Sequence, residues 1–428
     1  MKQILLFTSF FLMHSVISFC QTNTDKTEFF VDFKKESFEH IMNISGFGVH
    51  TAGSPQEKQV ADYIFNELSN MDVETSVESF EFESFDITKT NLRINNQQIE
   101  ALQVCFNPYL EKFQFQDNFI LLNPDNTTTS NIEDKIVVAS FPLDNSKYFR
   151  LFFGRPKLIL VIPSQDFHNI SQSREVVCNI KGEIKKHKSQ NIVGFIPGKQ
   201  KHNNEIIISA HYDSYPGSIG ADDNASGVAV LIELAKYFKQ FQDSLNTNLR
   251  FVAFGCEEKG LVGSRAYLNL HKEDIRNCKL LFNMDQLGGE RIFIETTGGV
   301  QGIPKEQGIN QFPQYLRNRS LEGIESNWRL LAPEALPIFA ISNRPEWLAS
   351  IIKESTNELL IPVTYTGNTG SDQMTFAQAG IVASAIGTSG NEVHSPKDIP
   401  SQVHKQSIVD CGRIAIKIII KTSEKYKN

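Results

Sequence analysis

Residues 206–238 read IIISAHYDSYPGSIGADDNASGVAVLIELAKYF, and this stretch decides the fold. Ile206 to Ser209 is short, apolar and β-branched, which predicts a buried strand. It runs into His211-Tyr212-Asp213 and then into Gly220-Ala221-Asp222-Asp223-Asn224-Ala225-Ser226-Gly227, a glycine-bounded acidic turn. Beyond the turn, Val228, Leu231, Ile232, Ala235 and Phe238 recur at helical spacing, so Ala225 to Phe238 is expected as a helix. Strand, polar turn and helix in this order are the unit of an α/β sheet covered on both faces.

The same alternation continues on either side. Leu249 to Phe254, Lys279 to Met284 and Ile381 to Ile386 read as strands, and Trp347 to Glu358 as a helix. Upstream, Glu36 to Leu68 is helical apart from a break at Gly46 to Pro55. Ser54 as cap, Pro55 at the first position and Glu57 in the first turn mark the second helix entry. Val73 to Phe85 then alternates as a strand. From Thr88 to Lys188 short β-like runs are divided by Asn, Asp and Thr clusters such as Asn123 to Asn131, the texture of a β-rich insert. The expected fold is α/β, a mixed and mostly parallel sheet sandwiched by helices, with residues 21–87 and 189–428 forming the main domain around an insert at 88–188.

Bulk properties exclude several classes. A net charge of -7 gives no basic footprint for nucleic acid. Lys2 precedes the apolar run Ile4 to Ile17, and small residues at Ser18 and Cys20 suit cleavage after Cys20. Residues 1–20 are therefore expected to be a signal peptide, and the protein secreted or periplasmic; bulky Phe19 argues against a lipid anchor at Cys20. Later apolar runs all fall short of the roughly 18 residues a membrane span needs. Cleavage leaves Cys105, Cys178, Cys256, Cys278 and Cys411, an odd set with no CxxC spacing. Neither a disulfide framework nor a thiolate metal site is expected from it.

The chemistry lies at the strand ends. In α/β sheets, working residues gather beyond the carboxyl ends of the strands. The first strand here delivers His211 and Asp213, the next Glu257 and Glu258 through Gly255-Cys256, the next Asp285, and the last leads to His394. A histidine two positions before an aspartate lets one side chain bind metal while the other orients its ring. Imidazole and carboxylate without thiolate suit zinc, with cobalt or manganese as substitutes. Five ligand side chains are too many for one catalytic zinc that keeps an open position. They suit two zinc ions sharing a carboxylate.

Together His211-Tyr212-Asp213, Gly220 to Gly227, Glu257-Glu258-Lys259-Gly260-Leu261-Val262-Gly263-Ser264, Asn283-Met284-Asp285 and His394-Ser395-Pro396-Lys397-Asp398 resemble the co-catalytic zinc aminopeptidase family. Its relatives include bacterial leucyl aminopeptidases, glutamate carboxypeptidase and glutaminyl cyclase. The resemblance covers roughly the last 230 residues plus Glu36 to Phe85. It implies a zinc exopeptidase fold and hydrolysis of amino-terminal residues from peptides by a metal-bridging water. By position, Asp223 would bridge two zinc ions, with Asp222 as the neighbour with which it can be confused. Glu258 and His394 would complete one site, His211 and Asp285 the other. Glu257 would be the general base, Asp213 the partner orienting His211, and Asp398 a support outside the ligand set.

Two positions depart from the family pattern. Ser371-Asp372-Gln373 stands where Ser-Asp-His is usual, which bears on substrate affinity if that histidine touches substrate. Ser395-Pro396 stands where Thr is commoner. The insert lies where several members carry a protease-associated domain, and Ile132 to Ala139 resembles one of its strands. A carboxypeptidase would need a cation for the terminal carboxylate, for which Arg265, Arg329 and Arg344 are candidates. A glutaminyl cyclase would use one zinc on Asp223, Glu258 and His394. The stretch from Gly288 to Trp347 offers Phe293, Phe312, Tyr315, Trp328 and Phe339 as pocket walls or as core.

Overall fold

The computed structural model describes residues 29–94, 97–99, 103–106, 119–122, 136–140, 158–162, 167, 176–199, 204–296, 344–367, 370–390 and 392–427. The expected signal peptide, Cys20, Arg329 and the aromatics from Phe312 to Phe339 lie outside them.

Helix α1 (residues 29–46) and α2 (Pro55–Asn70) come first. The helix entry is as the sequence predicts: Ser54 Oγ accepts from Glu57 N at 3.0 Å, and Pro55 opens the helix where its missing N–H costs nothing. Strand β1 (Glu74–Ile94) pairs antiparallel with β7 (Val176–Ile196) from Glu74↔Phe195 to Ile94↔Val176. The chain thus passes positions 88 and 188 inside two long strands, so a continuous ribbon joins the intervening residues to the core. Between those strands, β2 (Gln97–Ile99) extends the ribbon, while β3 (Gln103–Phe106), β4 (Phe119–Leu122), β5 (Ile136–Ser140) and β6 (Leu158–Ile162) form a separate sheet.

The chain continues with β8 (Glu205–His211), α3 (Gly227–Gln240), β9 (Asn248–Phe254), α4 (Val262–Leu270), β10 (Cys278–Asp285) and β11 (Ile292–Glu295). It ends with α5 (Glu346–Leu359), β12 (Thr364–Thr366), α6 (Gln373–Gln378), β13 (Ala383–Thr388) and α7 (Lys405–Lys425). The main sheet runs β12-β11-β13-β10-β8-β9-β7-β1-β2. Its middle strands, β13, β10, β8 and β9, are parallel to one another, so their carboxyl ends share one edge.

Alternation along the strands builds two cores. Ile206 and Ile208 of β8, Phe251 of β9 and Phe282 of β10 face one layer with α1, α2, α3, α5 and α7. Ile207, Val252 and Leu281 face the other, against Tyr267 of α4 and Phe376 of α6. A buried polar chain lies within this packing. Ser209 Oγ donates to Asn283 Oδ1 (2.7 Å), Asn283 Nδ2 to Gln373 Oε1 (3.1 Å), and Gln373 Nε2 to Glu295 Oε1 (3.0 Å). Glu295 in turn holds Arg344, and both side chains are almost wholly buried. Gln373 is therefore buried inside the core. No helix among the described residues is long and apolar enough to cross a membrane.

Candidate metal and catalytic site

Every expected ligand falls at the shared edge. His211 closes β8, Asp285 closes β10, Glu257 and Glu258 follow β9, and His394 lies in the loop after β13. Asp223 comes from the turn between β8 and α3. That turn needs glycine at both ends. Gly220 has φ +69°, and a Cβ there would stand 2.6 Å from the Asp223 carbonyl oxygen. A Cβ at Gly227 would stand 2.4 Å from Asn224 Oδ1 and 2.6 Å from the Met284 carbonyl oxygen. Asn224 locks the turn onto β10, its Nδ2 donating to the Met284 carbonyl (3.0 Å) and its Oδ1 accepting from Gly227 N (3.0 Å).

The carboxylate of Asp223 sits between two histidines. Oδ1 is 3.1 Å from His211 Nε2, and Oδ2 is 2.9 Å from His394 Nε2. His211 Nε2 is also 3.3 Å from Asp285 Oδ1, and His394 Nε2 is 3.4 Å from Glu258 Oε1. Two triads result, His211–Asp223–Asp285 and Asp223–Glu258–His394, each with its donor atoms within 4.8 Å of one another. The aspartate that could be confused with Asp223 is turned away. Asp222 Oδ1 accepts from Gly288 N (2.6 Å), bracing the turn against the chain beyond β10.

The supporting carboxylates act mainly on backbone. The ring of His211 is fixed by its Nδ1 against the carbonyl oxygen of Asp213 (3.1 Å), with the Asp213 carboxylate farther off at 3.7 Å. That carboxylate instead accepts from the main-chain N–H of Glu257 (2.8 Å) and of Glu258 (3.2 Å). His211 Nδ1 thus meets both the carbonyl and, farther off, the carboxylate of Asp213, and the same carboxylate sets the two glutamates. Asp398 does the same for the acidic turn, accepting from Asp222 N (2.7 Å) and Asp223 N (3.1 Å).

The electrostatics follow from this crowding. Burial alone would lower the pKa of His211, but Asp285 and Glu257 beside it hold it well above the usual range. His394 is raised in the same way, with Glu258 and Asp223 overcoming burial. Burial would raise Asp223, yet the two histidines keep it far below an ordinary aspartate. Burial pushes Glu258 up to about 7, and drives Glu257 well above the carboxylate range with help from Glu258, Asp372 and Asp285.

A site for a divalent ion should offer a buried carboxylate oxygen that the protein leaves unpaired, and Glu258 does so. Glu258 Oε1 is buried with no hydrogen-bond partner among the described residues. Three carboxylates and two imidazoles gather there without a thiolate, the donor set of zinc. Cys256 and Cys278 are free and buried, and burial raises both thiols, so they offer no thiolate.

Three residues around the site gave no sequence signal. Tyr215 stacks on His394, ring centroids 4.3 Å apart and 16° between planes. Gln286 donates from Nε2 to Asp223 Oδ2 at 3.0 Å. Glu57, read as an ordinary first-turn acid, is buried and accepts from Gly53 N (2.7 Å) and Ser189 Oγ (2.5 Å). A lone Tyr, Gln or Glu has no spacing to recognise; only the tertiary arrangement sets its target.

Residues 191–310 match the model of Peptidase family M28. Aminopeptidase YwaD of Bacillus subtilis (strain 168) is 33% identical over 148 residues, which are 33% of this chain and 32% of the relative. The match therefore spans about a third of that relative's length. Among solved structures, the zinc aminopeptidase BSAP from Bacillus subtilis shares the fold with a TM-score of 0.64 at 20% identity, over 91% of this chain and 94% of that one. Porphyromonas gingivalis glutaminyl cyclase aligns with a TM-score of 0.50 at 13% identity, over 91% of this chain and 98% of that one. Over residues 191–310 this chain is thus a match to peptidase family M28, and the family resemblance read from its motifs holds.

Proposed function

We propose that this protein is an exported zinc exopeptidase that removes residues from the amino terminus of peptides, using two zinc ions. The observation that carries the reading is the shared carboxylate of Asp223 between two triads, with Glu257 beside them. His211 and Asp285 would hold one ion with Asp223, and Glu258 and His394 the other. Zinc there supplies Lewis acidity, polarising a carbonyl and lowering the pKa of water.

The chain's own groups do the rest. Glu257 takes a proton from the attacking water and returns it to the departing amine. Its position is set from behind, because Asp213 Oδ1 accepts from its main-chain N–H. The aminopeptidase relative supports cleavage at the amino end. Of the arginines considered for a carboxypeptidase pocket, Arg344 is committed to Glu295 inside the core. The glutaminyl cyclase reading has the fold likeness in its support, but needs only the Glu258–His394 triad and leaves His211 with Asp285 unexplained. Export is supported by Lys2 and the apolar run Ile4 to Ile17. If the β-rich insert at 88–188 covers the cleft, it would limit the substrates to short peptides or flexible termini.

The variant Glu257→Gln tests the base. It should keep its zinc and its fold while peptide turnover falls at least 100-fold, the lower bound for losing a general base. Metal analysis and a peptidase assay on one preparation give both readings, and a fully active Glu257→Gln protein refutes the assignment.

A further inference from the structure

Gln286 follows Asp285 directly, and its backbone has φ +58°, a region that glycine enters freely and glutamine rarely. The conformation is clamped from both sides. Gln286 N donates to Asn224 Oδ1 (3.2 Å), and its carbonyl accepts from Thr388 N (2.7 Å) and from the Thr388 hydroxyl. Backbone strain held in place by several partners is a reason to ask what the side chain does. Held this way, the amide Nε2 reaches Asp223 Oδ2 at 3.0 Å. This is the oxygen that faces His394; the other, Oδ1, faces His211.

We propose that Gln286 is a positioning residue that fixes the rotation of the Asp223 carboxylate, so that one oxygen serves each metal position. The proposal rests on the reading of the two triads as zinc sites. A carboxylate has four lone-pair positions, so the amide occupies one on Oδ2 and leaves another for the ion. Partners of this kind behind a ligand typically carry 10- to 100-fold in metal affinity. The two positions should feel its loss unequally. His211 is 1% exposed and held by the Asp213 carbonyl, whereas the His394 side chain is 40% exposed on a loop where it too has a positive φ, +57°. The His394 side therefore depends more on a fixed Oδ2.

Two variants separate the side chain from the backbone. Gln286→Met keeps the length and removes the N–H donor. Gln286→Gly adopts the positive φ without strain and removes the side chain. Metal-free wild type and variants are titrated with Zn2+ by calorimetry, and the melting temperature of each metal-free protein is recorded. Wild type should take up two ions in separable steps. Both variants should lose about tenfold in the weaker step and little in the tighter one. The melting temperature of metal-free Gln286→Gly should be unchanged or higher. Variants that bind zinc like wild type in both steps overturn the role of Gln286 while leaving the metal reading intact. Equal loss in both steps with a lower melting temperature makes Gln286 structural, which also overturns the proposal. A wild type that takes up fewer than two zinc ions overturns the metal reading and the proposal with it.

Discussion

At the residue scale, His394 and Glu257 are expected to fail in different ways. His394 contributes a ligand nitrogen to one triad and stacks on Tyr215. His394→Ala removes that nitrogen, so zinc content should drop by about one ion per chain and activity should fall with it. Added zinc in excess should restore little. Metal analysis beside the activity assay checks this; retention of two ions with His394→Ala would show that the imidazole is not a ligand. Much of this scale was legible in sequence, because histidines and carboxylates at strand ends announce themselves. What was not legible is how the polar groups behind them are wired. His211-Tyr212-Asp213 suggested a carboxylate near the imidazole, but not that the Asp213 carbonyl would lie closer to the ring or that the carboxylate would also hold the N–H groups of Glu257 and Glu258. Spacing fixes which residues are near one another but not which of two acceptors on one residue is used.

At the scale of elements, α2 shows both success and omission. Ser54 and Pro55 marked its start correctly, since capping is local chemistry. Glu57 looked like an acid favoured by the helix dipole. It is in fact buried against Ser189, inside the β1–β7 ribbon, a contact between residues 132 positions apart. Burial and the charge of Asp213 push its carboxyl up to about 8 from an ordinary 4.5. The folded chain then holds a proton that the unfolded chain has released across this interval. Stability from this group is therefore present at low pH and declines as pH rises from about 4.5 to about 8. Glu57→Gln stays neutral, can accept from Gly53 N, and can donate to Ser189 Oγ. Its melting temperature relative to wild type should rise by a few degrees between pH 5 and pH 9, for a difference on the order of a few kcal/mol. A difference that stays flat or falls with pH contradicts the burial of a protonated Glu57.

At the scale of the whole molecule, the parallel middle of the sheet brings the site together. β8, β9, β10 and β13 lie side by side, so side chains from positions 211 to 394 meet at one edge. Sequence gave the strands because apolar runs bounded by polar turns are local, and it gave their shared edge through the rule for α/β sheets. It did not show that β1 and β7 continue through positions 88 and 188, because strand pairing over that distance has no local signature. Nor did it reveal that Gln373, where the family pattern has a histidine, would be drawn into the core by Asn283 and Glu295. The most direct test of the account is mass spectrometry of a mixed peptide pool incubated with the protein, with and without a zinc chelator. Stepwise loss of amino-terminal residues, abolished by the chelator and restored by zinc, is the predicted result. Trimming from the carboxyl end, loss of ammonia from peptides that begin with Gln, or cleavage indifferent to the chelator would contradict it.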